Sequence, residues 1–144
     1  TREGFQQFMA RARLADNYRN MAMYELALQH SEATPDEEEF YGSSGWIWRE
    51  CIRAITLESV DRKPEAWKIA DECMALDMSQ ASAFAQAVFH EMLGDRASQA
   101  ALDEEAARNF WARAVAFYLE ADCIGDARRL SQQFLPATAE AAVQ

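Results

Sequence analysis

Trp111, Tyr118 and Ala127 stand seven and then nine residues apart, and this spacing constrains the fold more than any other feature of the sequence. Seven residues make about two turns of an α-helix, so Trp111 and Tyr118 share one helix face. A small residue such as Ala127 lets a second helix approach that face closely. The spacing therefore predicts two antiparallel helices that pack face to face.

The composition favours helices along the whole chain. Five glycines and three prolines among 144 residues are too few for a many-stranded β fold, which needs a turn about every ten residues. Half of the residues are hydrophobic, so the chain can bury a core. We expect a single all-α domain over residues 1–144, in which antiparallel hairpins stack as a short array or form an irregular helical bundle.

The N-terminal part of the chain predicts one long amphipathic helix, reaching about residue 33. Residues 5–31 contain no Gly or Pro, and apolar residues recur at intervals of three and four. Two helices joined near Asn17 or Asn20 are the alternative, but the absence of a breaker favours continuity. Thr34, Pro35 and Glu37 then predict the capped start of the next helix.

Capping residues and breakers delimit the later helices. Ser43 or Ser44 is the expected cap of the first, Pro64 opens the second, Ser79 caps the third and Gly94 ends it. The predicted helices cover residues 46–60, 65–76, 81–93, 102–121 and 127–135. The tail, residues 137–144, is expected to fray.

Residues 46–136 resemble the tetratricopeptide repeat (TPR) family, a solenoid of 34-residue helix pairs. Trp111, Tyr118 and Ala127 match the aromatic and small positions of one repeat. Further matching positions are Glu65-Ala66, Cys73, Leu76-Asp77, Phe84, Ala87 and Gly94-Asp95. The resemblance implies that hairpins stack because one pair cannot bury its apolar face alone, and that the first helices line a concave binding surface.

The charge of the chain limits its partners. Twenty-four acidic and 14 basic residues give a net charge of −10, which repels nucleic acid and anionic membranes. No segment approaches the roughly 18–20 apolar residues that span a bilayer. We therefore expect a protein or peptide partner, which could be basic, and neither a nucleic acid nor a membrane.

No residue pattern indicates catalysis. Cys51, Cys73 and Cys123 lack metal-ligand spacing and are expected to be free thiols in a reducing compartment, which favours the cytoplasm. The only histidines, His30 and His90, have no second histidine at ligand spacing. We therefore expect no catalytic residue, no metal and no cofactor. The chain has no initiator Met and no apolar signal core, which is compatible with an excerpt or a trimmed chain.

The leading functional interpretation is a non-enzymatic protein–protein interaction module or scaffold that uses a helical-repeat groove. The resemblance implies partner contacts on the first helices of the pairs, at Trp48, Arg49, Gln86, His90, Asn109 and Arg113. For Trp48, packing against the N-terminal helix is the alternative.

A second interpretation is a small acidic inhibitor, an immunity protein or a secretion chaperone that masks a basic partner. Length, charge and helical character suit this class as well. Self-association as a homodimer is a further expectation, since it would cover the apolar faces of the end helices.

Overall fold

Helices make up the regular structure of residues 1–134, the part of the chain that the computed structural model describes. In chain order the elements are α1 (Arg2–Asn20), α2 (Tyr24–His30), a 3₁₀ helix (Pro35–Phe40), α3 (Ser44–Ser59), α4 (Lys63–Met74), α5 (Ala83–Gln99), α6 (Glu104–Glu120) and α7 (Ile124–Phe134). The all-α prediction is confirmed. The tail predicted to fray, residues 137–144, lies outside the described residues.

The helices group into two compact units. In the N-terminal unit, residues 1–81, α1 packs on α2 and α3, α2 also packs on α3, and α3 packs on α4. In the C-terminal unit, which begins at Ser82, α5 packs on α6 and α6 packs on α7. A division into compact units does not by itself establish separate domains, so the single domain over residues 1–144 stays a prediction.

The predicted continuous N-terminal helix is wrong, because α1 ends at Asn20 and α2 begins at Tyr24. Ala22 between them has a φ of 59°, a left-handed conformation that stops a helix. The N–H of Met23 donates to the carbonyl oxygen of Tyr18 at 2.8 Å and closes the turn. Alanine has high helix propensity, so only the packing of α2 on α1 reveals this break.

The same kind of turn recurs at three further helix connections. Asp61, Leu102 and Asp122 also have positive φ values, between 52° and 62°. Five residues after each of the four left-handed residues lies a buried alanine. These alanines, with their exposed fractions, are Ala27 (0%), Ala66 (0%), Ala107 (0%) and Ala127 (3%). The turn reverses the chain, and the small side chain allows the next helix to approach closely.

The hairpin predicted from Trp111, Tyr118 and Ala127 is confirmed. Trp111 and Tyr118 lie on α6, and Ala127 lies on α7. The centroid of the Trp111 ring lies 5.5 Å from that of Phe134, the last residue of α7. The carbonyl oxygen of Tyr118 accepts a hydrogen bond from the N–H of Cys123 in the turn between α6 and α7. The end of α7 therefore meets the middle of α6, while the start of α7 follows the end of α6, as an antiparallel pair requires.

The prediction that Gly94 ends a helix is wrong, because α5 continues to Gln99. A Cβ on Gly94 would clash with the indole of Trp111, so glycine serves a close contact between α5 and α6. The indole Nε1 also donates to Oδ1 of Asp95 at 3.0 Å. The expected joint over residues 95–101 is therefore mostly helix.

Helix starts follow the predicted caps in part. Ser43 caps α3 by accepting from the N–H of Trp46, and Pro64 lies in the first turn of α4, as predicted. Ser82, rather than the predicted Ser79, caps α5. Residue 79 instead lies in an Asp77 turn, where its N–H donates to the Asp77 carboxylate at 3.0 Å.

We predict that Ala22→Gly stabilises the N-terminal unit by about 1 kcal/mol, because glycine adopts the left-handed conformation without a Cβ penalty. The matched control is Ala10→Gly, at an exposed position inside α1, which should cost about 1 kcal/mol. Urea unfolding of the full chain measures both changes. A loss of stability in both variants would contradict the left-handed turn at residue 22.

Candidate functional site

The connection between α2 and α3 differs from the four hairpin turns. It contains the 3₁₀ helix and ends at Gly42, whose φ is 80°. The residue five positions after Gly42 is the bulky, buried Ile47 instead of an alanine. Such a side chain keeps neighbouring helices further apart than alanine does, so this connection has room for a surface cleft.

The 3₁₀ helix replaces the capped α-helix predicted at Thr34. The Thr34 side chain makes no cap bond to the backbone and instead donates to the carboxylate of Asp36. Glu37, predicted to complete the cap, is buried in an ion pair. The local capping pattern is therefore overridden by a tertiary contact.

An open cleft of about 560 Å³ lies beside this connection, and we call it the Tyr41–Trp46 cleft. Its lining residues are Ala33, Thr34, Glu37, Glu38, Tyr41 and Trp46. The rings of Tyr41 and Trp46 lie 4.7 Å apart with an interplanar angle of 59°. Tyr41 is 62% exposed, which is unusual for a side chain of this size. The cleft thus presents aromatic surface next to carboxylates.

Arg49 on α3 forms a buried ion pair beneath the cleft. It is 2% exposed, its Nη1 donates to Oε2 of Glu37 at 2.6 Å, and its Nε donates to Oε1 of Glu50 at 3.0 Å. Its Cζ lies 5.0 Å from the ring centroid of Phe8 and 6.0 Å from that of Trp46. Nη2 of Arg49 has no hydrogen-bond partner among the described residues. The guanidinium group instead lies near the faces of these two rings, which attract its positive charge.

Glu37 connects three elements through its carboxylate. Besides Arg49 on α3, it accepts from Nη1 of Arg11 on α1 at 3.3 Å. Both oxygens of its carboxylate therefore have partners inside the fold. Glu38, the next residue, is exposed and forms no ion pair within residues 1–134. Of the two carboxylates that line the cleft, Glu38 is the one that can meet a ligand.

Burial also affects the second carboxylate that contacts Arg49. Desolvation raises the pKa of Glu50, although the nearby charges of Arg49 and Arg53 oppose this shift. Arg53 itself donates to the carbonyl oxygen of Leu28 and to the Ser31 hydroxyl, both at 3.2 Å. The arginines of α3 therefore hold the end of α2 and the 3₁₀ helix in place.

Trp48, predicted to contact a partner, lies beside α1. It lines a second, shallower cleft of about 360 Å³ together with Met9, Arg13, Asp16 and Asn17. It is half-buried, and its neighbours are those that the packing alternative requires. Trp46 and Trp48 are two residues apart on α3, so they face nearly opposite sides of the helix and line different clefts.

Four of the predicted contact residues lie in the C-terminal unit, on α5 and α6. Asn109 and Arg113 are exposed on α6, and Gln86 is half-buried on α5. His90 is buried, and its Nδ1 lies 2.6 Å from the carbonyl oxygen of Gln86. Its ring packs near those of Phe110 and Phe117. Burial lowers the pKa of His90, and the charge of Arg113 acts in the same direction.

The six predicted contact residues therefore fall into two groups, one in each unit. Arg49 and His90 are buried and hydrogen-bonded within their own units, although Nη2 of Arg49 has no hydrogen-bond partner among the described residues. Trp48, Gln86, Asn109 and Arg113 retain accessible surface. Partner binding by this set stays a prediction.

The sequence pattern does not predict the Tyr41–Trp46 cleft, because it assigns no role to Tyr41 and favours Glu37 as a capping residue. The one available signal was an aromatic pair, Phe40 and Tyr41, immediately before Gly42. Only the structure distinguishes these two residues. Phe40 packs on Phe8, with ring centroids 5.3 Å apart, whereas Tyr41 is exposed.

A second polar network lies between the helices of the C-terminal unit. The Tyr118 hydroxyl donates to Oε1 of Glu91 at 2.7 Å, and Nη2 of Arg129 donates to the same oxygen at 2.9 Å. Burial raises the pKa of Tyr118, and the Glu91 charge acts in the same direction. The network links α5, α6 and α7, and its groups are engaged with each other.

The three cysteines are free thiols, as predicted. Burial raises the pKa of Cys73 to about 12 and that of Cys51 further. Neither thiol is therefore ionised near neutral pH, and neither is a nucleophile there. Within residues 1–134, no group of three His, Cys, Asp or Glu side chains could hold a metal ion. No helix in that range is long and apolar enough to cross a membrane.

Comparison with known proteins gives no relative. No protein-family model matches the chain, and neither the curated proteins nor the solved structures contain a significant match. The resemblance to TPR proteins stays a prediction.

We predict that Glu37→Gln lowers the free energy of unfolding by about 3 kcal/mol or more, because it removes the charge partner of a buried arginine. The matched control, Glu38→Gln, removes the same charge from the neighbouring exposed residue and should change it by less than about 0.5 kcal/mol. Chemical denaturation of both variants measures the difference. Equal losses would show that the buried pair does not hold the 3₁₀ helix.

We predict that His90 makes the chain less stable in acid. Its pKa in the folded state is below the usual 6.5, so on acidification the unfolded chain takes up this proton first. The contribution of neutral His90 is therefore present above about pH 6.5 and is lost as the pH falls below it.

The check is the unfolding free energy of wild type and His90→Gln between about pH 7.5 and about pH 5.5. The wild type should lose more stability than the variant over this interval, because glutamine does not titrate. Parallel losses in the two proteins would contradict the burial of His90.

Proposed function

We propose that the chain is a non-enzymatic protein–protein interaction module that contacts its partner through the Tyr41–Trp46 cleft. The observation that carries this proposal is the exposure of Tyr41 beside Trp46, at the mouth of a cleft of about 560 Å³. Tyrosine and tryptophan are the residues most enriched at the energetic centres of protein interfaces.

The setting of the cleft supports this use. The 3₁₀ helix that forms one wall is tied to α1 and α3 through Glu37, so the wall is held before a partner arrives. Preorganisation of this kind reduces the conformational entropy that binding must overcome. A partner side chain can bury the exposed tyrosine ring without first ordering the surface around it.

The chemistry of the described residues supports a role without catalysis. The thiols of Cys51 and Cys73 have raised pKa values, and His90 is buried with its Nδ1 at a backbone carbonyl. The two thiols therefore lack the activation that a nucleophile needs, and burial keeps His90 away from a substrate. Free cysteines are typical of proteins in a reducing compartment, so we also propose that the chain acts in the cytoplasm.

A TPR-like arrangement of the hairpins is part of the proposal. The recurring left-handed turn with its buried alanine is the kind of contact on which stacked helix pairs depend. On this interpretation Asn109 and Arg113, exposed on α6, offer a second surface for a partner. A homodimer formed through the end helices is compatible with either surface.

The second candidate function is a small acidic inhibitor that masks a basic partner. Its support is the net charge of −10 and the acidic run at residues 36–39, three of whose four carboxylates lie on exposed residues. Charge masking would act over a wide surface, whereas the module binds at one cleft. Salt therefore separates the two, because screening weakens long-range attraction more than packing.

The test is affinity purification with wild type, Tyr41→Ala and a control, Leu119→Ala, which removes an exposed apolar side chain from α6. A captured partner is then purified, and its affinity for each form is measured at low and high salt. We expect Tyr41→Ala to weaken binding about tenfold or more, and Leu119→Ala to leave it unchanged. Equal affinities of all three forms would refute the proposed site.

A further inference from the structure

We infer that the Tyr41–Trp46 cleft binds the guanidinium group of an arginine side chain on a protein partner. The inference rests on the proposed function and specifies what the cleft recognises.

The N-terminal unit already contains one guanidinium site of this composition. Arg49 is bound there by two carboxylates, Glu37 and Glu50, and lies against two aromatic rings, Phe8 and Trp46. Carboxylates pair with the N–H groups of arginine, and aromatic faces attract its delocalised charge. The interior site therefore shows which groups accept a guanidinium in this part of the chain.

The Tyr41–Trp46 cleft presents the same groups on the outside. Its carboxylate is Glu38, which is exposed and forms no ion pair within residues 1–134. Its rings are Tyr41 and Trp46, and Trp46 is shared with the interior site. The cleft therefore offers a carboxylate unpaired within residues 1–134 and two rings, which are the same kinds of group that contact Arg49 inside.

The exposed charges at the cleft favour a cation over a neutral side chain, because the buried cation beneath it, Arg49, is already paired with Glu37 and Glu50. Asp36 is exposed beside Glu38, and the Thr34 hydroxyl holds the pKa of Asp36 below its usual range. The Asp36 carboxylate is therefore ionised at neutral pH. An apolar side chain would desolvate Glu38 without pairing it, which is unfavourable. The net charge of −10 also speeds the approach of a cationic partner.

The geometry favours arginine over lysine. The Tyr41 ring is exposed and Glu38 lines the same cleft, so a flat group can stack on the ring while its edge pairs with the carboxylate. A guanidinium is planar, has five N–H donors and is weakly hydrated, so it can make both contacts at once. A lysine ammonium is compact and strongly hydrated, and it gains less from ring faces.

The inference is tested by NMR on the ¹⁵N-labelled full chain. The probes are three decapeptides of glycine and serine that differ only in one central residue, which is arginine, citrulline or lysine. Citrulline keeps the shape of arginine without its charge. We expect the arginine peptide to shift the Trp46 indole N–H and the amides of residues 33–46 saturably, with a dissociation constant of about a millimolar.

Variants of the cleft provide the second part of the test. Tyr41→Ala and Glu38→Gln should each weaken binding of the arginine peptide about two- to fivefold. The matched control is Glu120→Gln, which removes one exposed carboxylate from the other unit and should leave the affinity unchanged. An equal loss in Glu120→Gln and Glu38→Gln would attribute binding to the overall charge and overturn the inference.

The remaining outcomes separate this inference from the proposed function. Equal binding of the citrulline peptide, or equal or tighter binding of the lysine peptide, would overturn the arginine assignment while leaving the cleft a binding site. No saturable shift with the arginine peptide would overturn it too, although the Tyr41→Ala affinity experiment could still support the proposed function. Sedimentation of the wild type and of Tyr41→Ala tests self-association. A wild-type dimer that becomes a monomer in the variant would identify the occupant of the cleft as a second copy of the chain and refute a separate partner.

Discussion

Close helix approach at buried alanines is the constraint on which both units depend. Each of the four helix hairpins has a residue in the left-handed conformation and, five positions later, an alanine with almost no exposed surface. Within the N-terminal unit, the connection between α2 and α3 is the exception, because Ile47 stands where the hairpins have alanine. The candidate site lies at this exception, since a connection without the close contact leaves space at the surface.

The buried ion pair between Arg49 and Glu37 fixes the position of the 3₁₀ helix that forms one wall of the cleft. A buried charge pair contributes little net stability, because desolvation offsets most of the Coulomb attraction, but it strongly disfavours arrangements that separate the charges. Glu37 therefore fixes the 3₁₀ helix against α1 and α3, and the following residues are presented outward. The exposure of Tyr41 and Glu38 is a consequence of where Glu37 is held.

Local patterns predicted most of the helices but not the site. Periodicity and caps located α3 and α4, and the spacing from Trp111 to Ala127 predicted the last hairpin, because neighbours on a helix face are set by sequence distance. The break at Ala22 and the role of Gly94 depend on tertiary packing, which a single sequence does not display. The cleft was not predicted for the same reason. Glu37 and Glu38 are equivalent in the local sequence pattern, and only the fold buries Glu37 and leaves Glu38 exposed.

The central claim is that a protein partner contacts residues 33–46, which include the lining of the Tyr41–Trp46 cleft. Hydrogen–deuterium exchange of the full chain, alone and bound to the purified partner, tests it most directly. The account predicts slower exchange of backbone amides within residues 33–46 in the complex. Protection confined to the segment around Gln86, Asn109 and Arg113, with residues 33–46 unchanged, would contradict it.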